Sequence, residues 1–345
     1  MAAKAMEGMT ANPGETLFRE GDNSKEIYIL LQGRVTLKKG VSVVEELNME
    51  GSIFGEMAVL RNVPREVTAM TNTRITAMVI RDLSTAIQQM PSTGLQLAKA
   101  LARQLVKINK MVVKAQEQLK RCKEEYQAIL NKLEGLKELT DMPRFAEIVK
   151  ASKESVFAER DRGNLLVYKP SADNLGEQER QRKYSRGEII FKENDNTKEV
   201  YILLGGKLGV RVGDKLVATV DGKGSFIGEM SILRSEPRSA TVEVLEDTEL
   251  MVIEDLEVAI GRTPTIGIKM AQTLANRVYT TQESAADYRK QLTACRSQYQ
   301  ALVDEVTEVY RKYLRLPKLK EIIEEAQNSL FMQGGDRDKR DRLVS

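Results

Sequence analysis

Residues 14–37, GETLFREGDNSKEIYILLQGRVTL, recur as residues 187–210, GEIIFKENDNTKEVYILLGGKLGV, with 13 of 24 positions identical. The offset, 187 − 14 = 173 residues, continues without a gap through GSIFGEMAVLRNVPREVT and GSFIGEMSILRSEPRSAT, then through MVIRDLSTAI and MVIEDLEVAI, and on to CKEEYQAIL and CRSQYQALV. A 345-residue chain that repeats itself at half its length is two copies of one structural unit. Whatever the first copy folds into, the second must fold into as well.

Each copy opens with short apolar runs rich in β-branched and aromatic residues, Glu26 to Leu31 and Glu199 to Leu204, separated by Gly-Asp, Asp-Asn and Gly-Gly turn signals. Such a pattern predicts a series of short strands closing into a barrel or sandwich. The period then changes. From Leu101 onward Leu105, Ile108, Val112, Ala115, Leu119, Cys122, Tyr126, Ile129, Leu133 and Leu136 alternate steps of four and three, a heptad seam that predicts a long helix. The second copy matches it from Leu274 to Val309. At 1.5 Å per residue each seam is roughly 54 Å long, more than one small barrel covers, so a partner helix is required.

Four segments result: a barrel with its long helix over 10–139, a charged helical connector over 140–186, a second barrel with its long helix over 187–327, and a flexible tail over 328–345. The fold class is α+β, two jelly-roll-like β-barrel domains each followed by a heptad-repeat α-helix. In-register pairing of the two helices within the chain sets Ala115 opposite Tyr288 and Val112 opposite Ala285, small against large, whereas a homodimer would set Tyr288 against Tyr288. The intramolecular pseudo-dimer is favoured, with the homodimer as its alternative. Either pairing sets a thiol opposite a thiol, Cys122 against Cys295 within the chain or each cysteine against its own copy in a homodimer, and the plainer reading of both is core packing.

Chemistry concentrates in one segment of the second copy. The run Ile227-Gly228-Glu229-Met230-Ser231-Ile232-Leu233 is followed, after three residues, by Pro237-Arg238-Ser239-Ala240-Thr241. It resembles the phosphate-binding cassette of the cyclic-nucleotide-binding domain family. The barrel with its long helix looks most like bacterial cyclic-AMP receptor proteins, and two modules in one chain look like protein kinase A regulatory subunits. The resemblance implies a site for cyclic AMP or cyclic GMP, formed by Gly228, Glu229, Met230, Ser231, Arg238, Ser239, Ala240 and Thr281. Such a ligand offers a negative charge, a ribose hydroxyl and a flat base. Arg238 suits the cyclic phosphate and Glu229 suits the 2′-hydroxyl. Gly228 lets backbone come close, and the helix turn after it aims N–H groups at an anion. Ser239 would add a hydroxyl to the phosphate, Ala240 would be small because ligand and barrel crowd it, and Thr281 either contacts the base or is a seam threonine. The plainer reading of Glu229 and Arg238 is an ion pair bracing a loop.

The first copy keeps Gly55, Glu56 and Arg65 as a second site, but Glu66 and Val67 replace the serine and alanine, and Ile108 stands where Thr281 does. A carboxylate beside the pocket repels an anion and Val67 narrows the floor. The site is either degenerate or functional, and a salt bridge from Glu66 to Arg65 is one way to replace the missing phosphate.

Other classes find less support. The 53 basic residues balance 50 acidic ones, which speaks against non-specific nucleic-acid binding. Histidine is absent and cysteine occurs twice, which leaves neither the commonest general base nor a metal-ligating cluster. No catalytic residues, metal or further cofactor are expected, and the chain is not expected to be an enzyme. It shows no signal-peptide pattern and no run of roughly 18 apolar residues, so a cytoplasmic location off the membrane is expected. After Leu316-Pro317 no DNA-reading helix-turn-helix follows, and the expected partners are a cyclic nucleotide and another protein. Two functions stand: a signalling regulator that relays ligand binding through its helices, or a structural coiled-coil scaffold whose barrels bind nothing.

Overall fold

The computed structural model describes residues 5–137, 143–156, 180–312 and 316–329. The expected tail over 328–345 lies outside the described residues beyond Ser329, as do 140–142 and 157–179 of the connector.

The first copy runs β1 (Met6–Ala11), β2 (Thr16–Phe18), β3 (Ile27–Gln32), β4 (Val35–Lys39), β5 (Ser42–Leu47), β6 (Ile53–Phe54), α1 (Glu56–Arg61), β7 (Thr68–Thr71), β8 (Ile75–Ile80), α2 (Leu83–Gln89), α3 (Ser92–Lys137) and α4 (Pro143–Val156). The second runs β9 (Arg180–Tyr184), β10 (Ile189–Phe191), β11 (Val200–Val212), β12 (Lys215–Val220), β13 (Phe226–Ile227), α5 (Glu229–Arg234), β14 (Thr241–Ile253), α6 (Leu256–Arg262), α7 (Thr265–Lys312) and α8 (Pro317–Asn328). Both barrels begin earlier than the repeat suggested. β1 pairs with β8 from Met6↔Ile80, and β9, inside the expected connector, pairs with β14 from Thr248↔Tyr184. These strands carry weak alternation, MEGMTA and RQRKY, so only their pairing marks them.

In the first barrel two four-stranded sheets, β1-β8-β3-β6 and β2-β7-β4-β5, enclose Phe18, Tyr28, Leu30, Val35, Phe54 and Ile75. The Tyr28 and Phe54 rings stack 5.1 Å apart. In the second barrel β11 and β14 run unbroken through the corner where the first copy has two strands each, around Phe191, Tyr201, Leu203, Leu208 and Leu250. The corner needs glycine. Gly206 has φ +96°, and a Cβ there would meet the Asp247 carbonyl and the Thr248 hydroxyl, and lie 2.6 Å from the Thr248 Cα. Asp82 and Asp255 cap α2 and α6 by accepting two backbone N–H bonds each, which fixes the chain just before the long helices.

The long helices hold 46 and 48 residues, about 69 and 72 Å at the usual rise, because they start a few turns before the heptad seam. They begin after Pro91 and Pro264 and meet at once: a Cβ on Gly94 would lie 2.9 Å from the Gly267 carbonyl carbon. Compactness cuts across the repeats. One unit takes both barrels with α3 up to Lys107 and α7 up to Thr280, and the other takes the rest of both helices with α4 and α8.

In that second unit α3 and α7 pair within the chain, with Leu119, Cys122, Leu292 and Cys295 in one cluster and Tyr288 packed against it. Cys122 and Cys295 form a disulfide with their Cα atoms 6.6 Å apart, where core packing alone would have sufficed. Beyond it α4 and α8 fold back, burying Phe145, Val149, Leu319, Ile323 and Ala326 against Tyr126, Leu130, Tyr299 and Val303. The Tyr126 hydroxyl donates to the Ser152 carbonyl at 3.3 Å, and Lys132 on α3 pairs with Glu325 on α8 at 2.5 Å. The end of the coil is therefore a four-helix cluster. Among the described residues no helix is long and apolar enough to cross a membrane.

Two outcomes follow from this packing. Gly206→Ala should cost about 2–4 kcal/mol in urea unfolding, against less than about 1 kcal/mol for the adjacent Gly205→Ala, whose Cβ would meet nothing within 4 Å. On a non-reducing gel the oxidised chain should migrate as a compact monomer that slows on reduction and is lost in Cys122→Ser; a covalent dimer as the main product would contradict the intramolecular bond.

Candidate functional site

Each copy builds the same cassette. β6 and β13 end at a glycine in left-handed backbone, Gly55 with φ 82° and Gly228 with φ 80°, conformations that side chains resist. A six-residue helix follows and ends on another left-handed residue, Asn62 or Ser235. The chain then returns through proline to an arginine that is 2 % exposed in both copies.

These arginines point inward. The Arg238 Nε donates to Thr197 Oγ1 at 3.0 Å, Nη1 to the Gly228 carbonyl at 2.6 Å and to Ser231 Oγ at 2.9 Å, and Nη2 to the Glu199 carbonyl at 2.5 Å. The guanidinium carbon sits 4.2 Å over the Phe191 ring. Arg65 repeats the arrangement with Ser24 Oγ, the Gly55 carbonyl and the Glu26 carbonyl, over Phe18 at 4.3 Å. Burial lowers both guanidinium pKa values from their ordinary level. The first copy has Ala58 where Ser231 stands, so Arg65 has one partner fewer.

The acidic residues differ more. Glu229, 4 % exposed, pairs with Arg277 on α7. At the equivalent place on α3 the first copy has Gln104, and Glu56, 7 % exposed, has its pKa pushed up to about 7, chiefly because burial disfavours its charged form.

The structure thus brings together Gly228, Glu229, Ser231 and Arg238, and in the first copy Gly55, Glu56 and Arg65. Ser239 is exposed beside the buried Arg238, Ala240 is buried, and Met230 is half-buried on α5. Thr281 is buried on α7 and belongs to the second compact unit. One expectation is corrected. Glu66 does not bridge to Arg65; it pairs with Arg61 at 2.9 Å, because the Arg65 guanidinium is turned into the barrel while the Glu66 side chain stays 36 % exposed. Arg61 in turn lies 3.4 Å over the ring of Tyr279, from α7.

Sequence reasoning missed Ser24 and Thr197, although hydroxyl residues at matching repeat positions were a signal. It also missed Arg277, Arg61 and Tyr279, which join elements far apart in the chain and left no local pattern. Among the described residues no group of three or more metal-ligating side chains is gathered.

Residues 9–88 and 181–258 match the model of the cyclic nucleotide-binding domain. A cAMP-dependent protein kinase regulatory subunit from Debaryomyces hansenii is 25% identical over 235 residues, 68% of this chain and 40% of that protein. The cyclic AMP receptor protein of Thermus thermophilus is 34% identical over 105 residues, 28% of this chain and 48% of that protein. The chain thus spans less than half the length of either relative. Among solved structures "cAMP bound PfPKA-R (141-441)" is similar over 84% of this chain and 80% of its own, at 20% identity and a TM-score of 0.30.

Glu56 yields a pH test. A carboxyl whose pKa is raised from its ordinary 4.5 to about 7 on folding keeps its proton in the native state while the unfolded chain releases it, so native stability falls as pH rises between those values. Glu56→Gln removes that loss, and its unfolding free energy relative to wild type should increase from pH 4.5 to pH 8 by up to about 3 kcal/mol. A difference that stays constant across this range would place the Glu56 pKa elsewhere.

Proposed function

We propose that this chain, which carries two cyclic nucleotide-binding domains, is a regulator that takes cyclic AMP or cyclic GMP mainly in its second barrel and relays occupancy through its long helices to a partner protein. The observation that carries the reading is the second cassette. There a buried arginine, a buried glutamate tied to α7 and a small-residue pair coincide at the turn after β13.

Of the five N–H groups on Arg238, four are engaged with Thr197, Gly228, Ser231 and Glu199. The positive charge is therefore held rigidly, with one Nη2 hydrogen left for an anion. Ser239, the next residue, is exposed and carries a hydroxyl that a bound phosphate would draw on. Glu229 gives its Oε1 to Arg277, and a ribose hydroxyl would draw on the same carboxylate. A ligand that draws on Glu229 changes the hold of Arg277, and α7 is the route outward.

In the first cassette Glu66 takes the place of Ser239, and its carboxylate is neutralised by Arg61. What supports a lesser role for that site is the loss of the Ser239 hydroxyl and of the Ser231 partner, replaced by Glu66 and Ala58. The scaffold alternative draws its support from the disulfide and the four-helix cluster at the end of the coil. It predicts no response to any nucleotide.

A thermal-shift and calorimetric panel of cyclic AMP and cyclic GMP separates the two. Ligand at about 100 times its Kd should stabilise the native state by about 2.7 kcal/mol. Ser239→Glu, an exposed change that copies the first cassette, should abolish most of the shift. If neither nucleotide at saturation moves the wild type, the regulator reading fails.

A further inference from the structure

Side chains from both cassettes converge on one short stretch of α7. Glu229 of the second cassette pairs with Arg277. Two residues further on Tyr279 lies beneath the Arg61 guanidinium, 3.4 Å from ring centroid to the central carbon. Arg61 is the last residue of α1, the helix of the first cassette, and its Nη1 bonds the carboxylate of Glu66 in that cassette at 2.9 Å. Its side chain is only 11% exposed, so the guanidinium is sandwiched between a carboxylate and a ring instead of being free in solvent. Cation–π and ion-pair contacts at such partly buried places are worth more than their exposed counterparts.

The other long helix meets the barrels elsewhere: Lys99 and Lys107 pair at 3.7 Å with Glu257 on α6 and Glu45 on β5, both outside the cassettes. At the matching positions α3 has Gln104 and Val106, neither able to form an ion pair or present a ring, and Arg234, the counterpart of Arg61, turns to Glu236 in its own loop at 2.5 Å. The two-fold repetition of the chain is broken here, and always in favour of α7.

We infer that the Arg277–Tyr279 segment of α7 couples the two cassettes, so that a change at Glu229 in the second is felt at α1 and Glu66 in the first, while α3, with Gln104 and Val106 at the matching positions, does not repeat this path. Arg277 and Tyr279 are positioning residues in this scheme. A shift or rotation of α7 large enough to release Glu229 from Arg277 also moves the ring under Arg61. With that ring gone, the Arg61–Glu66 pair loses its support and the first cassette loosens. Coupling is thereby asymmetric in its construction, through a single helix, although its free energy is shared by both sites as linkage requires. The consequence for ligand binding rests on the proposed nucleotide-binding function; the contact path does not.

Hydrogen–deuterium exchange on the full chain without ligand tests the path directly. Arg277→Gln, which copies Gln104 of the first repeat, should speed amide exchange in residues 56–66 by about fivefold or more. Tyr279→Val, which copies Val106, should speed the same amides, and adding Arg277→Gln to it should then add nothing. Gln104→Ala should leave residues 229–238 unchanged. If Arg277→Gln leaves 56–66 at the wild-type rate, or if the double variant is simply additive, the coupling is overturned. A second arm measures cyclic AMP affinity at the second site, which Tyr279→Val should alter by about fivefold. A wild type that binds no nucleotide defeats the functional reading alone and leaves the exchange experiment to decide the coupling.

Discussion

In each barrel a guanidinium charge is taken out of water and held by carbonyl and hydroxyl oxygens, and the cassette hangs on it. Arg238 fastens the Gly228 turn to the strand start at Glu199 and to the loop at Thr197, while its flat face rests on Phe191. Its backbone is locked as well, donating to the Asp195 carbonyl at 2.9 Å and accepting from Asn194 at 2.8 Å. A buried charge is costly unless it is paired or hydrogen-bonded, and four of the five guanidinium N–H groups find oxygens here, so those oxygens are held in place with the arginine. The glycine in left-handed backbone, the short helix and the returning loop are all consequences of that demand.

Much of this architecture was legible in the chain. The repeat announced two barrels, the Gly-Glu and Pro-Arg pairs announced two cassettes, and the heptads announced two helices. What was not legible is instructive. Glu66 was expected on Arg65 because they are adjacent in sequence, but the Arg65 guanidinium turns inward to the Ser24 hydroxyl and the Gly55 and Glu26 carbonyls while Glu66 stays at the surface on Arg61. Arg61 over Tyr279 and Glu229 on Arg277 join residues separated by 218 and 48 positions, and long charged side chains give no periodic signal of where they end. β1 and β9 were placed by partners, not by composition.

The two copies share a fold, yet several of their differences fall where chemistry is expected. Ala58 against Ser231, Glu66 against Ser239, Gln104 against Arg277 and Val106 against Tyr279 all lie on or next to a cassette. By contrast three of the layers that hold the helices together repeat the same residue: Gly94 meets Gly267, Cys122 meets Cys295 and Tyr126 lies 6.0 Å from Tyr299. Packing tolerates symmetry, and a one-sided signal does not. A duplicated chain can keep the first and give up the second one residue at a time.

The disulfide has a topological consequence of its own. It closes a covalent ring that contains all of the chain between Cys122 and Cys295, the entire second barrel included. A protease that cuts once anywhere inside this ring opens it without releasing a fragment, because the two pieces stay tied at the coil. The same cut in a reduced chain would leave them joined only by their packing, so the bond makes the molecule insensitive to breaks in its own connector.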